Sequence, residues 1–150
     1  MKKLFKHILI LALPCIFLNQ FTVMSQNIQE SVQKCAMNAG PDATYLKDFV
    51  VKLDGIRPDE RPPVFRATLV LRKNVSYRFS ICNLDTSEGE AIIRLYDEAN
   101  MLASTYYPET GKEYKSINFS CQKSGVYTIM ISFKDGKAGE AIGIMSYVSR

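Results

Sequence analysis

From about Tyr45 onward, apolar and polar side chains alternate along the chain, and this alternation constrains the fold more than any other feature. Successive side chains of a β-strand point to opposite faces, so each alternating run predicts a strand with one apolar and one polar face. Eight such runs occur, at residues 49–53, 65–71, 75–82, 91–96, 101–107, 117–121, 127–133 and 141–148. Two antiparallel sheets packed face to face would bury all the apolar faces together. The sequence therefore predicts an all-β fold over residues 44–150, an eight-stranded antiparallel β-sandwich that is jelly-roll-like.

Turn residues separate these runs. Residues 55–63 are polar and proline-rich, which predicts a loop rather than a strand. Asp135-Gly136 is a dipeptide typical of tight hairpin turns, because glycine accepts the positive φ that such a turn requires. A hairpin is therefore expected between the last two runs.

The segment before the strands has a different period. Ile28, Val32, Cys35 and Ala39 recur at helical spacing, and Gly40-Pro41 is a helix stop signal. Residues 26–43 are thus predicted to form a short N-terminal helical segment. Because an isolated helix of this length is marginal in water, we expect it either to dock on another part of the protein or to fray.

Residues 1–25 have the pattern of a signal peptide. Lys2, Lys3 and Lys6 precede an apolar run from Ile8 to Leu18, and small or modest side chains precede a cleavage point after Ser25. A retained membrane anchor is the alternative, although several polar residues and a proline interrupt the run. The prediction is a protein exported to the periplasm or the extracellular space, with no membrane span after cleavage.

Removal of the signal changes the charge and the available chemistry. The whole chain carries 19 basic and 15 acidic residues, and loss of three lysines leaves a net charge of +1. Such a balance gives no electrostatic support for binding nucleic acid or a membrane surface. His7, the single histidine, leaves with the signal. We therefore expect no Ser-His-Asp or Cys-His catalysis, no histidine-based metal site and no cofactor.

Three cysteines remain after cleavage, which allows one disulfide and one free thiol. Cys121 shares its strand parity with Phe119, which points it inward, and Cys35 lies on the apolar face of the predicted helix. Cys82 shares its parity with Arg78, which points it outward unless a bulge intervenes. We therefore predict a Cys35–Cys121 disulfide that joins the helix to the sandwich.

The order of turns and strands over residues 72–147 also resembles a known family. The segments that carry the resemblance are LRKNVSYRFSI, AIIRLYDEANMLAST and YKSINFSCQKSGVYTIMIS. They are similar to the bacterial pre-peptidase C-terminal domains, small jelly-roll modules of secreted proteins. The resemblance covers about half the chain and implies a non-catalytic accessory or binding module.

Aromatic side chains on a polar strand face are the best candidate for a binding site. Alternation points Tyr96 away from the core on the same face as Arg94. Tyr106 and Tyr107 are adjacent, so in a strand one of them must face outward. An aromatic platform beside an arginine can stack on sugar rings or anchor a protein partner.

Acidic residues suggest two further chemistries. A turn with Asp97, Glu98 and Asn100 offers hard oxygen ligands for Ca²⁺, but such residues also favour turns through local hydrogen bonds alone, and we predict no metal site. A pair of carboxylates could hydrolyse glycosidic bonds, although the spacing selects no pair. The candidates are Glu88, Glu90, Asp97, Glu109, Glu113 and Glu140.

Together these patterns predict an exported, non-catalytic β-sandwich module with a protein or glycan partner. A structural or assembly component of the cell envelope is the alternative, and a carboxylate-based hydrolase is a third hypothesis. The sequence leaves the ligand and the oligomeric state open.

Overall fold

The computed structural model describes residues 20–149, with side chains described from residue 27 onward. The chain divides into two compact units, Met1–Glu30 and Ser31–Arg150. Helix α1 (Gln20–Met37) begins six residues before the predicted start, within the end of the predicted signal peptide. The remainder of that signal, residues 1–19, lies outside the described residues. Among the residues described, no helix combines the length and apolar character needed to cross a bilayer.

Two four-stranded antiparallel sheets form a sandwich in the second unit, as the alternation predicts. Sheet I has the order β1-β10-β3-β8 and sheet II the order β2-β9-β4-β5, while β6 and β7 form a separate two-stranded ribbon. The strands are β1 (Ala43–Leu53), β2 (Phe65–Leu71), β3 (Ser76–Asn83), β4 (Ala91–Asp97), β5 (Asn100–Ser104), β6 (Tyr106–Tyr107), β7 (Lys112–Glu113), β8 (Ser116–Ser120), β9 (Gly125–Phe133) and β10 (Gly139–Val148). From β1 to β4 each strand lies in the other sheet from the one before it, which is the jelly-roll arrangement.

The core lies between the two sheets and is built from the apolar parity of each strand. Phe79 on β3, Ile93 and Leu95 on β4, and Ile129 and Ile131 on β9 are 1% exposed or less. Burial of each such side chain contributes about 1.5–3 kcal/mol. The alternation therefore identifies the core correctly.

The outer face of sheet I is also buried in its centre. Ile142 and Ile144 on β10 point away from the core, yet both are fully buried. The end of α1 lies against this face, where the Cys35 Sγ lies 3.5 Å from the Ile142 carbonyl oxygen. Val32, Cys35 and Ala39, the predicted apolar face of the helix, are all buried. Of the two expected alternatives, docking is the one found for this part of α1.

The predicted Cys35–Cys121 disulfide is wrong. Cys35 is bonded to Cys82, with their Cα atoms 6.0 Å apart, and Cys121 is a buried free thiol. The parity was right, since Cys82 pairs with Ile142 on the outer face of sheet I. The error lay in treating that face as open to solvent, because the helix covers it. Cys121 faces the core, where its thiol donates to the Lys123 carbonyl at 3.1 Å.

The expected hairpin at Asp135-Gly136 does not form, although the turn does. Asp135 and Gly136 both have positive φ, at 57° and 67°, and the Lys137 N–H donates to the Lys134 carbonyl at 3.2 Å. The turn carries the chain from β9 in sheet II to β10 in sheet I. A dipeptide fixes only the local backbone, whereas burial of apolar faces decides which strands pair.

The predicted strand at residues 101–107 is divided in two at Thr105. The Ile93 N–H donates to Thr105 Oγ1, and the Thr105 N–H donates to the Ile93 carbonyl, both at 3.0 Å. These bonds hold the end of β5 against β4, and the chain then leaves sheet II as the β6–β7 ribbon. The ribbon places Tyr106 beside the outer face of sheet II.

Candidate ligand-binding groove

A concave depression of about 780 Å³ lies on the outer face of sheet II, and we call it the basic groove. Its floor includes Ile92, Arg94 and Ser132. Its walls come from the loop before β2, the ribbon at Tyr106 and the Lys134–Gly136 turn. The groove is thus built from strand faces whose positions are fixed by the sandwich.

Strand register places two arginines symmetrically in this floor. Arg66 on β2 and Arg94 on β4 both lie opposite Met130 of the intervening strand β9. Neighbouring strands are spaced by about 4.8 Å, so the two Cα atoms are separated by roughly 10 Å. The two arginines therefore enter the groove from the strands on either side of β9.

Arg94 is half-buried and is oriented by a hydroxyl group. Its Nη1 donates to Ser132 Oγ at 2.8 Å, which engages one of its five N–H donors. Within residues 20–149, neither Arg94 nor Arg61 nor Arg66 forms an ion pair within 4.0 Å. Three guanidinium groups thus remain available to an anionic ligand.

Lys134 and Tyr106 form one rim of the basic groove. The Lys134 ammonium lies 4.6 Å from the centroid of the Tyr106 ring, a cation–π distance. It donates to Glu113 Oε1 at 2.6 Å and lies 3.9 Å from Glu90 Oε2. The hydrogen bond to Glu113 raises the pKa of Lys134, so its positive charge is retained and locally compensated.

The structure brings together two of the four residues predicted to bind a ligand. Arg94 and Tyr106 line the basic groove. Tyr96 shares the outer face with Arg94 but lies further along β4, outside the groove. Tyr107 also lies outside it, where its ring packs edge-on against Tyr114 with centroids 6.1 Å apart. The predicted platform of several tyrosines is therefore not assembled in this groove.

Sequence reasoning missed Arg61, Arg66 and Lys134 among the lining residues. Arg66 had a signal, because its parity along residues 65–71 places it on a polar face. Only the register of β2, β9 and β4 shows that this face is shared with Arg94. Arg61 and Lys134 lie in a loop and a turn, where strand parity does not apply.

The carboxylates considered for hydrolysis are mostly dispersed. Glu90 and Glu113 meet at Lys134, as described above. Glu140 pairs with Lys52 and accepts from Thr86 Oγ1, and the hydrogen bond from Lys52 lowers the pKa of its carboxyl. Asp97 and Glu98 line a separate cleft of about 230 Å³, and Glu88 and Glu109 are exposed. In the described part of the chain, no three potential ligands among His, Cys, Asp and Glu are grouped to hold a metal ion.

Neither a family model nor a curated protein matches the chain in comparisons with known proteins. The geometry and charge of the basic groove are therefore the basis for a functional assignment.

Proposed function

We propose that this protein is an exported, non-catalytic binding module that holds a protein or glycan partner in the basic groove. The observation that carries the proposal is the depression of about 780 Å³ with three guanidinium groups free of ion pairs in the described residues. Ligand sites typically enclose about 300–1,000 Å³ and carry a few placed polar groups. The groove has both properties.

Export is supported by the disulfide and by the sequence before it. A bond between Cys35 and Cys82 persists in an oxidising compartment, such as the periplasm or the extracellular space. The signal-like pattern of residues 1–25 favours the same destination. The resemblance of residues 72–147 to pre-peptidase C-terminal domains, which are modules of secreted bacterial proteins, also supports it.

Binding without turnover is favoured by the chemistry of the groove lining. Guanidinium groups keep their protons at all ordinary pH values, so they hold anions but do not act as general acids or bases. Asp135 is the one carboxylate among the described lining residues, and Glu90 and Glu113 at the rim are engaged by the Lys134 ammonium. The arrangement is therefore suited to hold a ligand in place.

A role in envelope assembly is the second candidate, and edge strand β1 favours it. β1 is 11 residues long, and Tyr45, Leu46 and Val50 on it are 47%, 49% and 45% exposed. Exposed edges of this kind can pair with a strand of another chain. This candidate predicts self-association or a stable complex in size-exclusion chromatography, abolished by a proline at Val50.

The binding proposal is tested by capture of partners from envelope extract and on a glycan array. The probe is the purified full chain, beside an Arg94→Ala/Tyr106→Ala variant and an Arg72→Ala control. Arg72 is an exposed arginine directly after β2, outside the basic groove. We expect the groove variant to lose the wild-type partner and the control to keep it.

Capture that is equal for wild type and the groove variant would refute the assignment of the site, and failure to capture anything would refute the binding role. Far-ultraviolet circular dichroism and the thermal midpoint of each variant ensure that a lost partner does not reflect unfolding.

A further inference from the structure

We infer that the ligand of the basic groove is a linear anionic polysaccharide that carries carboxylate or sulfate groups along its length. This inference rests on the proposed function and specifies its ligand. It is argued from the charge of the groove, the spacing of its arginines and the nature of its floor.

The charge of the groove is positive and largely uncompensated. Arg61, Arg66 and Arg94 contribute three guanidinium groups, and Asp135 is the one acidic residue among the described lining residues. The Lys134 charge is shared with the glutamates at the rim. Because the walls are protein and not water, the field of these groups is concentrated in the depression. An anionic ligand is attracted there, whereas a neutral ligand gains little.

The spacing of the arginines indicates a ligand with more than one charge. Arg66 and Arg94 start roughly 10 Å apart on either side of Met130, and the Arg94 guanidinium is held by the Ser132 hydroxyl of the middle strand β9. A single carboxylate meets one such fork at a time in a bidentate pair. A polymer with charges at intervals can engage both arginines and continue out of the open groove.

The floor favours a polysaccharide over an acidic peptide. One common mode of peptide recognition adds a strand to an open sheet edge, where unpaired N–H and C=O groups are available. Here the floor is the outer face of β2, β9 and β4: β9 and β4 are paired on both sides, and β2 is paired with β9 and has its open side at the edge of sheet II, not on this face. The ligand is therefore recognised by side chains, with the half-buried Tyr106 ring at the rim as a surface on which a sugar ring can pack.

The test is a set of binding titrations of the full chain with polymers of known chemistry. Polygalacturonate carries carboxylates, dextran sulfate carries sulfates, neutral dextran carries no charge, poly-L-glutamate is an acidic peptide, and single-stranded DNA carries phosphates. Each titration is made with the wild type, with Arg66→Ala and Arg94→Ala, and with the Arg72→Ala control. Measurements at about 50 mM and about 500 mM salt separate charge-driven binding from other binding.

We expect polygalacturonate or dextran sulfate to bind, and the stronger of the two identifies the anionic group. Each groove substitution should weaken that binding roughly tenfold or more, since a hydrogen bond to a charged group is lost. Arg72→Ala should leave the affinity unchanged, and high salt should weaken it. Neutral dextran should not bind.

Three outcomes would overturn the inference. If poly-L-glutamate binds as tightly as the anionic polysaccharides and with the same sensitivity to Arg66 and Arg94, the groove is assigned to an acidic protein segment. If the protein binds single-stranded DNA more tightly than both polysaccharides, the groove is assigned to nucleic acid. If no anionic polymer binds, the inference of an anionic ligand is refuted. Capture of a partner from the extract that depends on the groove would still support the proposed function.

Discussion

The bond between Cys35 and Cys82 is expected to contribute about 4 kcal/mol to the stability of this fold. The two cysteines are 47 residues apart in the sequence. In the chain-entropy treatment, a cross-link that closes a loop of this length destabilises the unfolded chain by about 4 kcal/mol at 25 °C. Replacement of both cysteines by alanine should lower the free energy of unfolding by that amount.

Urea unfolding measures this loss directly. For a small protein the free energy of unfolding falls by about 1–3 kcal/mol per molar urea, so the midpoint should move down by roughly 2 M. The experiment is made in a Cys121→Ala background, which prevents the third thiol from forming a new pair. In that background, the parent protein after reduction should unfold like the Cys35→Ala/Cys82→Ala variant.

Two results would refute this reasoning. A loss below about 1 kcal/mol would show that the unfolded chain is not constrained as the loop-closure treatment requires. A tryptic digest of the wild type in which Cys35 is linked to Cys121 would refute the pairing itself.

Three further predictions concern packing, charge and an unpaired hydroxyl. Phe79→Ala, in the centre of the core, should cost about 3–5 kcal/mol in urea unfolding, whereas Val70→Ala, at a position 74% exposed, should change stability by less than about 0.5 kcal/mol. Arg78 holds both Asp42 carboxylate oxygens, at 2.7 and 3.0 Å, and its hydrogen bonds lower the pKa of Asp42 below 3.8. A lowered pKa stabilises the folded state above pH 3.8. The difference in free energy of unfolding between wild type and Asp42→Asn should therefore disappear as the pH falls through the folded-state pKa of Asp42. A difference that persists in acid would contradict this. The Ser80 hydroxyl is buried with no hydrogen-bond partner among the described residues. Ser80→Ala should therefore raise the free energy of unfolding by about 1 kcal/mol, seen as a higher urea midpoint. A lower midpoint would show that the hydroxyl has a hydrogen-bond partner after all.

The alternating pattern was sufficient to predict the sandwich because burial of one face is a local property of each strand. Phe79 and Ile131 face the core for the same reason, although they belong to different sheets. Parity does not say which strands are neighbours. The hairpin expected at Asp135-Gly136 failed for this reason, since a turn can join strands of the same sheet or of opposite sheets.

The wrong disulfide prediction has the same cause, because strand parity does not show which elements are neighbours. Parity placed Cys82 on the outer face of its strand, and the structure has it there. The alternation along β3 by itself does not show that α1 covers this face. Continuous apolar character in residues 141–145 is typical of a strand buried on both faces, and it was the available signal.

The candidate site was half predictable. Arg94 and Tyr106 could be named from strand parity and adjacency, but the groove that joins them depends on Thr105, which ends β5 and turns the ribbon toward the outer face. Arg66 lines the same groove because Arg66 and Arg94 are both aligned with Met130 of β9. Both relations connect residues far apart in sequence, so no local pattern contains them.

The covalent link between α1 and β3 also determines how the molecule responds to pulling. A load applied to the chain before Cys35 reaches the sandwich through Cys82, on an interior strand of sheet I. The residues between the two cysteines, which form β1, β2 and most of β3, lie in a closed loop and carry no tension. If the N-terminal end is tethered, traction on the tether therefore bypasses the edge strands β1 and β2 and is borne by β10 and β8, the hydrogen-bonded neighbours of β3.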